Sequence, residues 1–559
     1  MKNKKQTLSI MQLLSVMLAV ICCFFCGFTH ASGAEPEQMS MTASNACYST
    51  NMPANWAQEW QYNRNGRTNI PPNLGLALSG GGLRSGIFCM GVLQGLHQLG
   101  VLTNVDEISS VSGGGYAASW LYLQSLNNHY HEDTLFNDSK KYELYIQAHG
   151  ELISHFPAKR TVLRRSGYLI GCGSQILVSQ FVNLFANGLF GWHANVVPMR
   201  RIYENGIDRV FDVKPNKNGK QSSVDFTNFL NCTMFYNKPK TITFDELAHE
   251  NFQGKLPFPI INTTAHIEEN DPLRIAYRLD NEVFEFTPLK YGSDCFGFWT
   301  NFPMNYNRAI QVSGAAVDSK TSRDPVTRAL DSAINVDLGY FINNPNITNE
   351  IYKILRKFII YPFYSPPFGW FYRNEHYLRD TNADKIYLAD GGHSENLGAY
   401  SLIRRSCQTL IIVDAEYDPI FEFEAYNLLK KHIANEMGLN LEVGEIDEHC
   451  PGKSMKDSIM KGTISSLRDR ANSIVANVIY IKLSLNAARL DQYPQAVGDY
   501  YIATQKQTEF FQSSAFPQES TTDQSYFPEQ VTAYRELGRF IVTNNPEFFS
   551  NLRTFNLKN

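Results

Sequence analysis

Residues Leu74–Trp120 read LGLALSGGGLRSGIFCMGVLQGLHQLGVLTNVDEISSVSGGGYAASW. Two short apolar runs, Leu74–Leu78 and Ile108–Val111, each lead into a glycine-rich turn and then into a helix-forming stretch. Runs of this length bounded by glycine turns predict strands buried on both faces. The segment from Arg84 to Leu99 is apolar on most faces, and Gly100 stands where a helix would end. Such a helix belongs inside a domain rather than on its surface. Gly113–Leu123 continues the second unit as helix. Short strands alternating with helices predict βαβ units, hence an α/β fold on a largely parallel sheet.

The same stretch carries chemistry. Ser112 sits at the tip of the second turn, between Ser110 and Gly113-Gly114-Gly115. A nucleophilic serine on a strand-to-helix turn needs small neighbours, because the turn is tight and strained. The usual pattern is G-x-S-x-G; here its first glycine is replaced by Ser110. The first turn, Gly80-Gly81-Gly82, can present backbone N–H groups with no β-carbon in the way. Gly81 and Gly82, with Gly113, are therefore candidate donors to the oxyanion of an acyl-transfer intermediate. Arg84 opens the following helix, where its guanidinium could neutralise a phosphate or support the oxyanion; a surface or structural arginine is the alternative.

A serine nucleophile needs a base. Lys385–Asp390 is another short strand, ending in Asp390-Gly391-Gly392, and ligands of open α/β sheets collect beyond the carboxyl ends of strands. Burial would raise the basicity of the Asp390 carboxylate. His393, His432 and His449 follow it in an order that a Ser–Asp–His triad would also allow.

Further strands are expected at Phe258–Ala265, Glu282–Thr287 and Thr409–Asp414, and helices at Leu397–Arg404 and Glu529–Val542. The tail from about Ser454 reads as helix-rich, with a loop at Phe516–Gln524. At the other end, Lys2, Lys4 and Lys5 precede an apolar run from Leu8 to Phe28, followed by Ser32-Gly33-Ala34. This is the layout of a signal peptide over residues 1–34, with an uncleaved membrane anchor as the alternative. Residues 35–70 form an irregular lead-in. One catalytic domain is expected over 71–545, with insertions near 129–253 and 340–380. Gly167–Trp192 has no charged residue, and Phe358–Tyr372 is an aromatic loop with three prolines. Either could wall an apolar pocket or touch lipid.

Composition excludes some classes. The 559 residues carry a formal net charge of -4, and no dense basic run is interleaved with aromatics, so nucleic-acid binding is not expected. Seven cysteines remain beyond the leader, with no CxxC pair to suggest zinc. A dinucleotide fingerprint fails on spacing, since Gly80-x-Gly82 is not followed by the third glycine at the required distance.

The segments GLALSGGGLRSG, ISSVSGGGYAASWLY and YLADGGHSENLGAYSLIRRSCQTLIIVDAEYD resemble the patatin-like phospholipase family, especially its branch of cytosolic phospholipases A. FEFTPLKYGS and FPQESTTDQSYF are similar to patatin-type sequence too, so the likeness runs from about Leu74 to Gly538. The resemblance implies a three-layer fold with a central, mostly parallel sheet and helical insertions. It implies a Ser112–Asp390 dyad without a catalytic histidine, and no cofactor or metal. It assigns Gly80, Gly81, Gly82 and Gly113 to the oxyanion and substrate loop, Arg84 to phosphate or oxyanion support, and matches Asn396 to a family asparagine. An exported acyl hydrolase acting on phospholipid or lysophospholipid at a membrane surface is the expectation. Acyl transfer to an alcohol on the same dyad, or an inactive lipid-binding protein, are the alternatives.

Overall fold

The first two strands lie side by side as the pattern demands. β1 (Leu74–Leu78) pairs in parallel with β2 (Glu107–Val111), and the connection between them is the helix α1 (Gly82–Gln98). The computed structural model describes residues 59, 72–128, 242–252, 256–266, 281–316, 338–346, 385–453, 455–468, 473–505, 516–520, 526 and 528–552. All of these belong to one compact unit, 47–559. The leader, most of the lead-in, Gly167–Trp192 and Phe358–Tyr372 lie outside the described residues. Among the described residues no helix is long and apolar enough to cross a membrane.

Among the described residues, twelve strands form one sheet. Its centre is parallel: β12 (Ile474–Lys482), β9 (Thr409–Asp414), β1, β2 and β3 (Phe258–His266) lie in that order. Antiparallel strands extend both sides, which makes the whole sheet mixed. β11 (Ile459–Ser466) pairs with β12, and β10 (Leu439–Glu442) pairs with β11 at that edge. β4 (Asn281–Phe286), β5 (Tyr291–Ser293) and β6 (Gly297–Trp299) continue from β3. β8 (Lys385–Asp390) pairs antiparallel with β3 and with β7 (Tyr340–Asn343).

Side chains alternate across the sheet, as a period of two requires. Leu76, Leu78, Ile411 and Val413 enter one apolar cluster with α1, with α2 (Gly113–Asn128) and with α7 (Pro528–Thr543). Ala77, Leu410 and Ile412 enter a second with α4 (Tyr400–Arg404) and α5 (Glu424–Met437). Helices thus cover both faces, giving three layers. α1 and α7 meet backbone to backbone: a side-chain carbon at Gly91 would stand 2.0 Å from the Arg535 carbonyl oxygen, and one at Gly538 would stand 2.4 Å from that of Phe88.

Two expectations need correction. The tail after Ser454 is not helical at first: IMKGTISS and IVANVIYIK form the hairpin β11–β12. Their β-branched residues suit a half-buried pleated surface, and pairing with β9 decides the outcome. Among the described residues, α-helix follows in α6 (Gln495–Gln505) and α7, with 3₁₀ turns at Ala487–Gln492 and Pro546–Leu552. The helix expected from Leu397 begins at Tyr400. The buried Glu395 carboxylate accepts the N–H groups of Leu397 at 2.6 Å and Tyr400 at 3.2 Å, and Gly398 takes φ 76, so the chain turns before the helix starts.

Candidate active site

Ser112 and Asp390 are 278 residues apart in the chain, and the sheet brings them together. β2 runs parallel to β3, with Val111 opposite Asn262. β8 runs antiparallel to β3, with Asp390 opposite Thr263. Since β4 occupies the other side of β3 at this level, β2 and β8 share one side of it. They point at each other, carboxyl end to carboxyl end, and the two side chains meet in the gap between them. The Ser112 Oγ donates to Asp390 Oδ2 at 2.8 Å. Both residues are buried, Ser112 at 6% and Asp390 at 4% exposure.

Ser112 adopts φ 49, a left-handed conformation that L residues rarely take and that costs about 1–3 kcal/mol. Its amide donates to the hydroxyl of Ser313 at 2.9 Å, and that hydroxyl donates to the carbonyl of Asn262 at 2.6 Å. The Asn262 side chain in turn donates to Ser109 Oγ at 2.8 Å and to the Ser110 carbonyl at 3.0 Å, and accepts from Ser401 at 2.6 Å. On the other side, Asp390 Oδ1 accepts the N–H of Gly392 at 2.8 Å. Burial raises the Asp390 pKa above the ordinary carboxylate value; the nearby His393 charge, the Gly392 N–H and the Ser112 hydroxyl act against that rise. The result is a carboxylate more basic than a free one.

The glycine loop lies against the nucleophile turn. Gly81 (φ 136) and Gly82 (φ 61) take conformations closed to most residues. A side-chain carbon on Gly113 would stand 2.0 Å from the Gly82 carbonyl oxygen, so the two turns touch through bare backbone. Among the described residues no acceptor is bonded to the N–H groups of Gly81, Gly82 or Gly113. Gly81 precedes α1, and Gly82 and Gly113 open α1 and α2, where unpaired N–H groups and the helix dipole favour an anion.

Gly80 differs from its neighbours. Its N–H is bound to the Asn396 carbonyl at 2.8 Å, so it is not available to an anion. It serves as a spacer: a side-chain carbon there would stand 2.1 Å from Asn396 Oδ1 and 3.3 Å from the Ser112 β-carbon. Asn396 therefore touches both the glycine loop and the turn after Asp390.

Arg84 stands nearest the structural alternative given for it. Its side chain is fully buried. The guanidinium donates to the Ala415 carbonyl at 3.0 Å and to that of Glu519, and it lies over the Tyr417 ring. Ala415's oxygen is 2.4 Å from where a β-carbon on Gly81 would be, so Arg84 fixes the support beneath the glycine loop instead of reaching into the crevice. Of the three histidines, His393 lies near enough to influence Asp390 electrostatically. His432 packs edge-on against Tyr400, and His449 against Phe421 and Phe423.

Several supporting residues escaped the sequence reading. Asn262 begins an Asn-x-Thr triplet, which reads as a glycosylation signal, yet it is 2% exposed and fully bonded. Ser313, at the end of α3 (Tyr306–Ser313), and Ser401 carry no local pattern at all. Among the described cysteines, Cys89, Cys407 and Cys450 form no disulfide, and burial pushes the Cys89 thiol up to about 12.

Comparison with known proteins places these features in context. The family model described as patatin-like phospholipase matches residues 76–403, which span both turns and Asp390. The Schizosaccharomyces pombe protein named "Probable lysophospholipase 3" is 23% identical over 386 residues, 62% of this chain and 50% of that protein. Cytosolic phospholipase A2 gamma of Mus musculus is 40% identical over 72 residues, 13% of this chain and 12% of that protein. The solved structure of human GIVD cytosolic phospholipase A2 aligns with 90% of this chain and 65% of its own, at a TM-score of 0.51 and 14% identity, a likeness of fold. The match thus spans about half the length of the first of these relatives.

Proposed function

The chain belongs to the patatin-like phospholipase family, and from that premise we propose that it is an exported lipid acyl hydrolase acting on phospholipids or lysophospholipids. The observation that carries this reading is the 2.8 Å hydrogen bond from the Ser112 hydroxyl to a buried carboxylate. Ser112 Oγ attacks the ester carbonyl while its proton passes to Asp390. The tetrahedral oxyanion is held by the N–H groups of Gly81 and Gly82, with Gly113 beside them; each such donor is worth about 10²–10³ in rate. The Asp390 proton then goes to the departing alcohol, leaving an acyl-serine. Water attacks that ester and gives a proton to Asp390; as the bond to Ser112 Oγ breaks, Asp390 returns that proton to the serine and the fatty acid leaves. The raised pKa of Asp390 supports a role as base, since proton transfer improves as basicity approaches the working pH.

The test is fatty-acid release from phosphatidylcholine vesicles and from lysophosphatidylcholine by the protein recovered from the exported fraction. Ser112→Ala and Asp390→Asn are each expected to lower turnover by about 10³-fold or more with the fold intact. Retained activity in either variant removes that residue from the mechanism.

A further inference from the structure

The left-handed turn at Ser112 has to be held, and one hydroxyl stands at the point where holding matters. Val111 is the last β2 residue in register with β3, opposite Asn262. At Ser112 the chain leaves the ladder. Its N–H does not bond β3 directly: it donates to Ser313 Oγ, which hands its own proton to the Asn262 carbonyl at 2.6 Å. Ser313 is completely buried, 201 residues from Ser112. The turn after the base rests on the same carbonyl, because a side-chain carbon on Gly391 would stand 2.3 Å from the Asn262 oxygen. A single backbone oxygen thus accepts the Ser313 hydroxyl that holds the nucleophile turn and lies in close contact with the backbone of the base turn at Gly391.

We infer that Ser313 is a positioning residue, whose hydroxyl splices the Ser112 N–H onto Asn262 and so keeps Ser112 Oγ aimed at Asp390. This rests on the reading of Ser112 as nucleophile. The physical argument is local. A serine at φ 49 relaxes toward negative φ unless its backbone is tied down. Losing the tie leaves a buried N–H without a partner, which the turn can correct only by rotating, and rotation carries Oγ away from the carboxylate. A displacement of about 1 Å at a reacting atom costs about 10²-fold in rate.

The experiment compares the parent protein with Ser313→Ala. Four quantities are read: the rate of labelling by a fluorophosphonate, the final number of labelled sites, kcat and KM on lysophosphatidylcholine, and the melting temperature. The expected result is a full complement of labelled sites, with the labelling rate and kcat lower by about 10- to 100-fold and KM unchanged. Labelling and turnover at the parental rate per labelled site overturn the inference. So does a loss seen only as fewer labelled sites, which assigns Ser313 to folding alone. Should Ser313→Ala not fold, Ser313→Thr, which retains a hydroxyl, is compared with Ser313→Cys, a poorer donor and acceptor. The threonine variant is expected to react faster per site, and equal rates overturn the inference. Labelling of Ser112→Ala in the same assay would instead sink the nucleophile reading, whatever Ser313 does.

Discussion

Asp390 sits under opposed influences, and their balance has a kinetic signature. Burial favours its neutral form; the His393 charge, the Gly392 N–H and the Ser112 hydroxyl favour the carboxylate. A base has to be ionised to work, so activity should fall as pH drops through a pKa lying above the ordinary aspartate value. Replacing His393 with Asn removes the electrostatic influence that acts against the rise at Asp390. The acid limb of the kcat/KM profile is then expected to move to higher pH, and an unmoved limb would show that His393 does not act on the base. At this scale Ser112 and Asp390 were legible because each ends a short strand and is followed by glycine. Arg84 was not. A basic residue in the first turn of a helix reads the same whether it faces a crevice or the carbonyls of Ala415 and Glu519. Ser313 and Asn262 act across 201 and 153 residues, distances at which no local pattern exists.

Among the elements, the ends of β9 and β12 form the floor of the glycine loop. Lys482, buried on β12, bridges to Asp414 at 2.9 Å, Glu416 at 3.2 Å and Asp418 at 2.9 Å. Asp418 also accepts the N–H groups of Glu422 at 2.7 Å and Phe423 at 3.1 Å, which folds the 415–423 loop onto its own first residues. Ala415 lies in that loop, beneath Gly81. One ammonium among the acidic side chains of Asp414, Glu416 and Asp418 is a device that fails badly when the cation is removed. Lys482→Met is expected to lower unfolding stability by about 3–5 kcal/mol, read as a shift in the urea midpoint. A variant as stable as the parent would show that the carboxylates take up protons or water without strain. The parallel strands on which this floor is built were readable as unbroken apolar runs, Thr409–Asp414 above all. The β11–β12 hairpin was not, because its identity as sheet comes from β9 alongside it rather than from its own propensity.

For the whole molecule, buried acids set the pH range of stability. Burial pushes Glu395 up to about 7, and Glu107 and Glu416 up to about 8; crowding by Asp414 and Asp418 adds to the rise at Glu416. Each favours folding most in its neutral form, so this contribution is full below 4.5 and is lost as pH climbs through about 7 to 8. Glu285 behaves in the opposite sense. Burial alone would raise it, but Arg404 and Arg405 outweigh burial and hold it at about 2, so its contribution is present above 4.5 and is lost as pH falls toward that value. The melting temperature is therefore expected to peak between about pH 4.5 and 7 and to decline on both sides; a maximum above pH 8 would contradict this assignment of protons. At this scale the layered α/β plan was visible in the alternation of short apolar strands and helices. The antiparallel extensions were not, since strands as brief as Tyr291–Ser293 and Gly297–Trp299 leave almost no periodic trace.

The head-to-head meeting of β2 and β8 along β3 means that the register of one strand sets the distance between serine and carboxylate. The itinerary of the chain between them has no say in it. Connecting segments can grow, shrink or change character as lipids of other shapes are encountered, while the proton-transfer geometry is inherited unaltered. Taste in substrates and competence in bond-breaking are separately evolvable in such an architecture.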